Sequence, residues 1–402
     1  MMQNSTSAPQ SEPTGAKSVR LHYLDWLRVL AIIGVFLFHA VHPFDATDWH
    51  IKNGDQSLLV TLVFVIFLYP WGMPLFFLLS GAGSWYALRR RTWRQYANER
   101  VMRLFIPLLI GAILFTPLQA YIEWSHKTQT GVFEGPFSEF VINRGVGYQP
   151  GFSPMIFGWL GYHLWFLGFL FAYSLIALPV FEWLNRDGGR RFVEWLAKVS
   201  EGRGGLLIFI LPLVLVQIIL RPFFLAEHDW ADFAFTLIFF VSGYILYADE
   251  RFLRAIKRDW PIALALGIVS TLFFFAIGAM GVAMDWAVAT GTPEFFLLWS
   301  VFAVNSWCWT LFVLYIGMRY LDFTNQWLQY GQEMILPFFL FHQPVILTIA
   351  FFVVQWEFNL WLKLLIVVLG SFVVSLSLFE LLVKRIAPAR ALFGMKSRQR
   401  PI

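Results

Sequence analysis

The sequence predicts an all-α, polytopic integral membrane protein with about ten transmembrane helices and both termini in the cytoplasm. Three observations predict it. Of the 402 residues, 58% are hydrophobic and only 14% charged, with 44 Phe and 19 Trp, whereas soluble domains carry about 25% charged residues. The apolar residues fall into ten continuous runs, most of them near the roughly 20 residues that a helix needs to cross a bilayer. The basic residues between those runs sort by side. Together these exclude a water-soluble enzyme of this size and a disordered or collagenous chain. A transmembrane β-barrel is excluded too, because the runs are continuous rather than alternating.

The runs lie at about 23–42, 58–87, 102–122, 163–183, 205–222, 231–248, 261–281, 295–318, 333–354 and 359–382. The second contains Pro70 and Pro74, which delete backbone donors and predict a kinked or tilted helix. With the N-terminus inside, 24 of the 30 Lys and Arg residues fall in inside segments, among them 89–103, 186–203 and 251–258. Only Lys52, Lys127, Arg144, Arg221 and Lys363 fall outside. Residues 1–20 are polar and Ser/Thr/Pro-rich and read as a disordered cytoplasmic tail. Residues 21–385 form the membrane domain, and 386–402 a basic cytoplasmic tail. The first run lacks a cleavage site and is expected to be retained. The longest outside loop, 123–162, is expected to fold as a cap; it carries Glu123, Trp124, His126, Glu134, Glu139, Asn143, Arg144 and Tyr148.

Ionisable residues inside apolar runs are costly and point to function. The first run holds Arg28 and His39. Eleven residues of helix put them about 16 Å apart in depth and on one face, with His39 expected near the bilayer midplane. Asp25, one turn before Arg28, can pair with it. His342 is expected at a depth like that of His39, as a second catalytic or acceptor-orienting histidine, with a satisfied interhelical histidine as the alternative. The single cysteine, Cys308, rules out an internal disulfide and a cysteine-built metal site. The eight histidines form no metal-binding motif, and no phosphate-binding glycine loop is present. His42 fits an interface position. Nothing suggests a nucleic-acid partner.

The segment Leu24-Asp25-Trp26-Leu27-Arg28 through His39 resembles the first helix of the acyltransferase family 3 membrane proteins. Phe76-Phe77-Leu78-Leu79-Ser80-Gly81, the Arg100/Arg103 pair, His163-Leu164-Trp165-Phe166-Leu167 and Phe341-His342-Gln343-Pro344 resemble further blocks of that family, in order. The Phe393-Gly394-Met395-Lys396 tail is most similar to its periplasmic-glucan succinyl-transferase branch. The resemblance implies transfer of an acetyl or succinyl group from cytoplasmic acyl-coenzyme A to a carbohydrate hydroxyl outside, in the inner membrane. Acyl-coenzyme A is then a co-substrate, and no cofactor is held permanently. A neutral His suits either deprotonation of the hydroxyl or transient acylation; general base is the preferred role for His39. Arg28 would hold a phosphate or polarise the thioester carbonyl, with Arg89, Arg100 and Arg103 completing the coenzyme A site. Topology alone also accounts for the 89–94 cluster. Asp25, Ser80, His163 and Trp165 are expected along the substrate path, although close helix packing accounts for the small residues around Ser80 better than a nucleophile does. The competing reading is a transporter or sensor using Arg28, His39 and His342 as an intramembrane relay.

Overall fold

The computed structural model describes residues 21–143 and 153–395, all helical or loop with no strand among them. Among the described residues, eight helices are long and apolar enough to cross a membrane, and two shorter apolar helices complete a set of ten. In chain order they are α1 His22–Phe44, α2 Leu58–Leu88, α3 Trp93–Gln129, α4 Ile156–Ile176, α5 Gly205–Ile219, α6 Trp230–Leu246, α7 Glu250–Ala279, α8 Pro293–Tyr320, α9 Gln326–Val353 and α10 Leu360–Val383. Each coincides with one expected run.

Local chemistry sets the ends and bends. Thr92 and Gln95 form a reciprocal capping box on α3, and Thr292, Asn325 and Asn359 cap α8, α9 and α10 through their side-chain oxygens. The predicted bend of α2 is a widened turn at Thr61–Ile66, just before Pro70, which has no N–H for the Ile66 carbonyl. Pro107 does the same to α3, where Val101–Phe105 is widened. The fourth helix starts seven residues earlier than the apolar run suggests, and it breaks after Ile176 because Pro179 cannot bond the Leu175 carbonyl.

Two expectations change in form. The cap expected over 123–162 is shorter, because α3 continues to Gln129 and carries Glu123, Trp124 and His126 as helical residues. Arg144 and Tyr148 lie outside the described residues, as do residues 1–20 and 396–402. The basic stretch 186–203 contains the amphipathic helix Asp187–Glu201, which buries Val193, Leu196 and Ala197 and turns its charges outward. Beyond α10, a short helix Ala387–Leu392 leads to Phe393, which stacks on Phe341 at 5.0 Å.

Glycines set how closely the helices approach. A Cβ on Gly81 of α2 would sit 1.8 Å from the Phe240 carbonyl oxygen of α6, and one on Gly243 of α6 would sit 2.0 Å from the Leu78 carbonyl oxygen of α2. The small-residue stretch around Ser80 is thus a helix-crossing surface. Helix α1 packs against α2, α8, α9 and α10. Its Leu27 and Val29 fill the spaces left by Gly317 and Gly331.

Candidate active site

A cavity of about 790 Å³ runs along α1, lined from Leu27 through Ala31, Gly34 and Phe38 to His39 and His42. The lining covers fifteen residue steps of α1, about 22 Å of rise. At its far end the α1–α2 loop contributes Asp48, Trp49 and His50, α3 contributes Glu123 and Lys127, and α4 contributes Tyr162, His163 and Trp165. His39 lies five residues before the end of α1, nearer the loop end of the cavity than its middle.

The tautomers of the histidines around His39 follow from their partners. His342 Nδ1 donates to the Phe339 carbonyl at 2.7 Å, so its Nε2 is a lone pair. That Nε2 is 2.9 Å from His39 Nδ1, which must therefore be the donor. His39 Nε2 is left as an unprotonated nitrogen on a half-buried ring lining the cavity, with no protein partner among the described residues. The Phe339 carbonyl accepts a second hydrogen bond, from His163 Nε2 at 2.9 Å. Pro344 follows one turn later in α9. It lacks the N–H that would bond the Leu340 carbonyl, and its ring opens the preceding turn.

The loop end of the cavity is tied by a second set of bonds. Glu123 receives His50 Nδ1 at 3.0 Å, Tyr162 Oη at 2.9 Å and Lys127 Nζ at 2.9 Å. Asp45, fully buried, faces His42 Nδ1 at 2.5 Å and accepts from Lys52 Nζ at 3.0 Å. Burial of Asp45 opposes its charge, but the bonds from His42 and Lys52 outweigh this and hold its carboxyl below the usual carboxylate range. Lys363, buried on α10, donates to Asn53 and to the Val354 carbonyl, both at 3.0 Å, and so pins the loop to the bundle. Tyr162 and His228 are the two non-glycine residues with positive φ among those described, at 54° and 64°. Both line the cavity, where backbone strain commonly gathers.

The expected residues divide into two groups. His39, His163 and Trp165 line the cavity, and His342 stands behind His39 as its hydrogen-bond partner. Trp165 packs against His228 with ring centroids 4.2 Å apart and planes tilted by 33°. Arg28 does not meet His39. Its guanidinium donates to Asp25 at 3.0 Å and to the Leu79 carbonyl at 2.7 Å, beside the Leu27 end of the cavity. Gly83 leaves room for it, since a Cβ there would sit 3.0 Å from Arg28 Nη2. Arg100 reaches the same stretch of α2 through Ser84 Oγ at 3.4 Å, and its buried Nε has no partner among the described residues. Arg103 pairs with Glu99 at 3.4 Å, and Arg89 lies over the Trp85 ring at 5.2 Å. Ser80 gives its carbonyl to the Ser84 hydroxyl and does not line the cavity. No cluster of metal-ligating residues occurs among the described residues.

The sequence reading missed Asp45, Trp49, His50 and Glu123 as site residues and placed His42 at an interface. For the four residues of the α1–α2 loop region the sequence signal is the density of His, Trp and Asp between 42 and 50, and Glu123 carries none.

The family model described as an acyltransferase domain matches residues 21–380, nearly the whole described chain. The chain belongs to acyltransferase family 3. Proteins named glucans biosynthesis protein C from Salmonella agona strain SL483 and from Salmonella paratyphi A strain ATCC 9150 / SARB42 are each 23% identical to it over 334 residues. The match covers 82% of this chain and 83% of theirs. No solved structure matches. The protein is therefore a multi-pass membrane acyltransferase, acting on groups other than aminoacyl groups.

Proposed function

We propose that the protein moves an acetyl or succinyl group from cytoplasmic acyl-coenzyme A to a carbohydrate hydroxyl on the far side of the inner membrane, with both its termini cytoplasmic. One observation carries the reading: a single cavity joins the level of Arg28 to an unprotonated His39 Nε2 and continues to the loop end. In the orientation favoured by the basic residues, Arg28 and Arg100 face the cytoplasm. Two guanidiniums sharing one stretch of α2, one with an unpaired Nε, suit the phosphates of coenzyme A. The mainly aliphatic wall from Leu27 to Phe38 suits the neutral arm that carries the thioester toward His39.

The acceptor hydroxyl approaches from the loop end and gives its proton to His39 Nε2. Its oxygen then bonds the thioester carbonyl carbon. The carbon–sulfur bond breaks, and the proton passes from Nε2 to the sulfur, leaving an ester and free coenzyme A. His342 holds His39 in the required tautomer throughout, as a positioning residue rather than a reacting one. The name of the relatives favours a glucan acceptor. Mass spectrometry of envelope glycans from cells with and without the protein tests the reading. An acyl ester present only with the protein supports it, and identical glycans in both would refute it.

A further inference from the structure

The first helical turn after His39 carries a second histidine with its tautomer fixed, and the proton transfer just described does not use it. His42 lines the same cavity as His39. Asp45 fixes it. Asp45 Oδ1 accepts from the Thr47 backbone N–H at 2.9 Å, the Thr47 hydroxyl at 2.8 Å and Lys52 Nζ at 3.0 Å. Its other oxygen faces His42 Nδ1 at 2.5 Å. A carboxylate only accepts, so His42 Nδ1 bears a proton, and in the neutral ring Nε2 is then a lone pair. No described residue donates to that Nε2.

The site thus presents two imidazoles with protons locked on Nδ1, one by a histidine and one by a buried carboxylate. Their centroids are 6.5 Å apart. Trp49 lies nearly parallel to both, 17° from His39 at 6.4 Å and 23° from His42 at 5.3 Å, and closes one side as a flat wall. Lys52 ties down the loop that carries Trp49: it also donates to the His42 and Asp45 carbonyls, at 2.5 and 2.6 Å. Its backbone N–H donates to His126 Nε2 at 3.1 Å.

We propose that His39 and His42 together receive two neighbouring hydroxyls of one acceptor molecule, so that the site selects a vicinal diol and acylates the hydroxyl at His39. Neighbouring hydroxyl oxygens of a sugar ring stand about 3 Å apart, and each can donate over a hydrogen-bond length of about 2.8 Å. The pair therefore spans a gap of the size between these rings. The ring face would lie on Trp49. A carboxylate-backed imidazole is the stronger acceptor of the two, which suits His42 to holding the hydroxyl that does not react. This inference rests on the cavity being the acceptor site of the reaction above.

The test measures binding without any donor, so it is read separately from acyl transfer. Ligand-observed NMR titration would compare methyl β-glucoside with its monodeoxy analogues on the full chain in lipid nanodiscs. Wild type is expected to bind the parent up to about tenfold more tightly than the analogue lacking the hydroxyl at His42, the size of one hydrogen bond between neutral groups. His42→Ala should bind both equally, at the weaker level. Asp45→Asn, which can donate to His42 Nδ1 and so turns Nε2 into a donor, should also lose most of that discrimination while keeping the ring in place. Discrimination undiminished in both variants, or parent binding unchanged in His42→Ala, would overturn the diol pair. So would a wild type that binds every monodeoxy analogue as tightly as the parent. Failure of the purified protein to transfer an acyl group would instead sink the function and leave these binding results to decide the diol pair.

Discussion

Replacing His342 probes the hydrogen-bonded chain that prepares His39. In the resting site the bond between His39 Nδ1 and His342 Nε2, 2.9 Å long, joins two neutral rings. During transfer His39 carries a positive charge, and the same bond becomes charge-assisted. Such bonds contribute about 1.5–3 kcal/mol, and each 1.36 kcal/mol of barrier is about tenfold in rate. His342→Ala should therefore lower kcat by about 10- to 150-fold, through lost charge stabilisation and loss of the fixed tautomer. His342→Gln, whose amide oxygen can still accept from His39 Nδ1, should recover part of the loss. Because His342 acts only through His39, the double variant His39→Ala/His342→Ala should be no slower than His39→Ala alone. Release of free thiol from acyl-coenzyme A in the presence of a glucan oligosaccharide measures these rates. A His342→Ala rate within about twofold of wild type, or a His342→Gln rate as low as that of His342→Ala, would show that His342 does not support His39 during transfer.

The remaining predictions concern the scaffold. Gly81→Ala and Gly243→Ala each drive a methyl into a facing backbone carbonyl. Each should destabilise the fold by at least about 1–3 kcal/mol, the usual cost of overpacking, read as a lower thermal midpoint in detergent. Glu123→Gln removes the charge that His50, Tyr162 and Lys127 share, and leaves Lys127 without its carboxylate. A loss of about 3–5 kcal/mol is expected on breaking a buried pair, again read by thermal unfolding; a midpoint equal to wild type would contradict it. The folded Asp45 carboxyl titrates below the ordinary value of 3.8, so the unfolded chain takes up a proton first. Its contribution to stability should be complete above about pH 4 and lost as pH falls further, and Asp45→Asn should lack that component of the acid loss.

Much of the fold was legible because the membrane imposes one rule, a continuous apolar run for each crossing. The run ends were less so. Helix α3 reaches Gln129 because Glu123 and His126, which read as loop residues, are satisfied by partners on the α1–α2 loop and α4. Arg28, His39 and His342 stood out as ionisable residues within apolar runs. Their grouping did not. Sequence spacing places Arg28 and His39 on one face of α1, but the Leu79 carbonyl of α2 draws the guanidinium away from the histidine. That His342 and His163 share the Phe339 carbonyl depends on how α4 and α9 pack together, which no local pattern encodes. Asp45 and Trp49 were illegible for a different reason. Polar residues in a loop are ordinarily solvated, and here the Lys52, Lys363 and His50 anchors fold the loop over the cavity.

The central claim is acyl transfer at His39, within one cavity, by this chain alone. The most direct measurement incubates purified protein in lipid nanodiscs with acyl-coenzyme A, isotope-labelled in its acyl group, and a glucan oligosaccharide, followed by mass spectrometry of the sugar. Wild type is expected to yield a labelled ester, and a folded His39→Ala variant none. Label transferred by His39→Ala at the wild-type rate would contradict that claim.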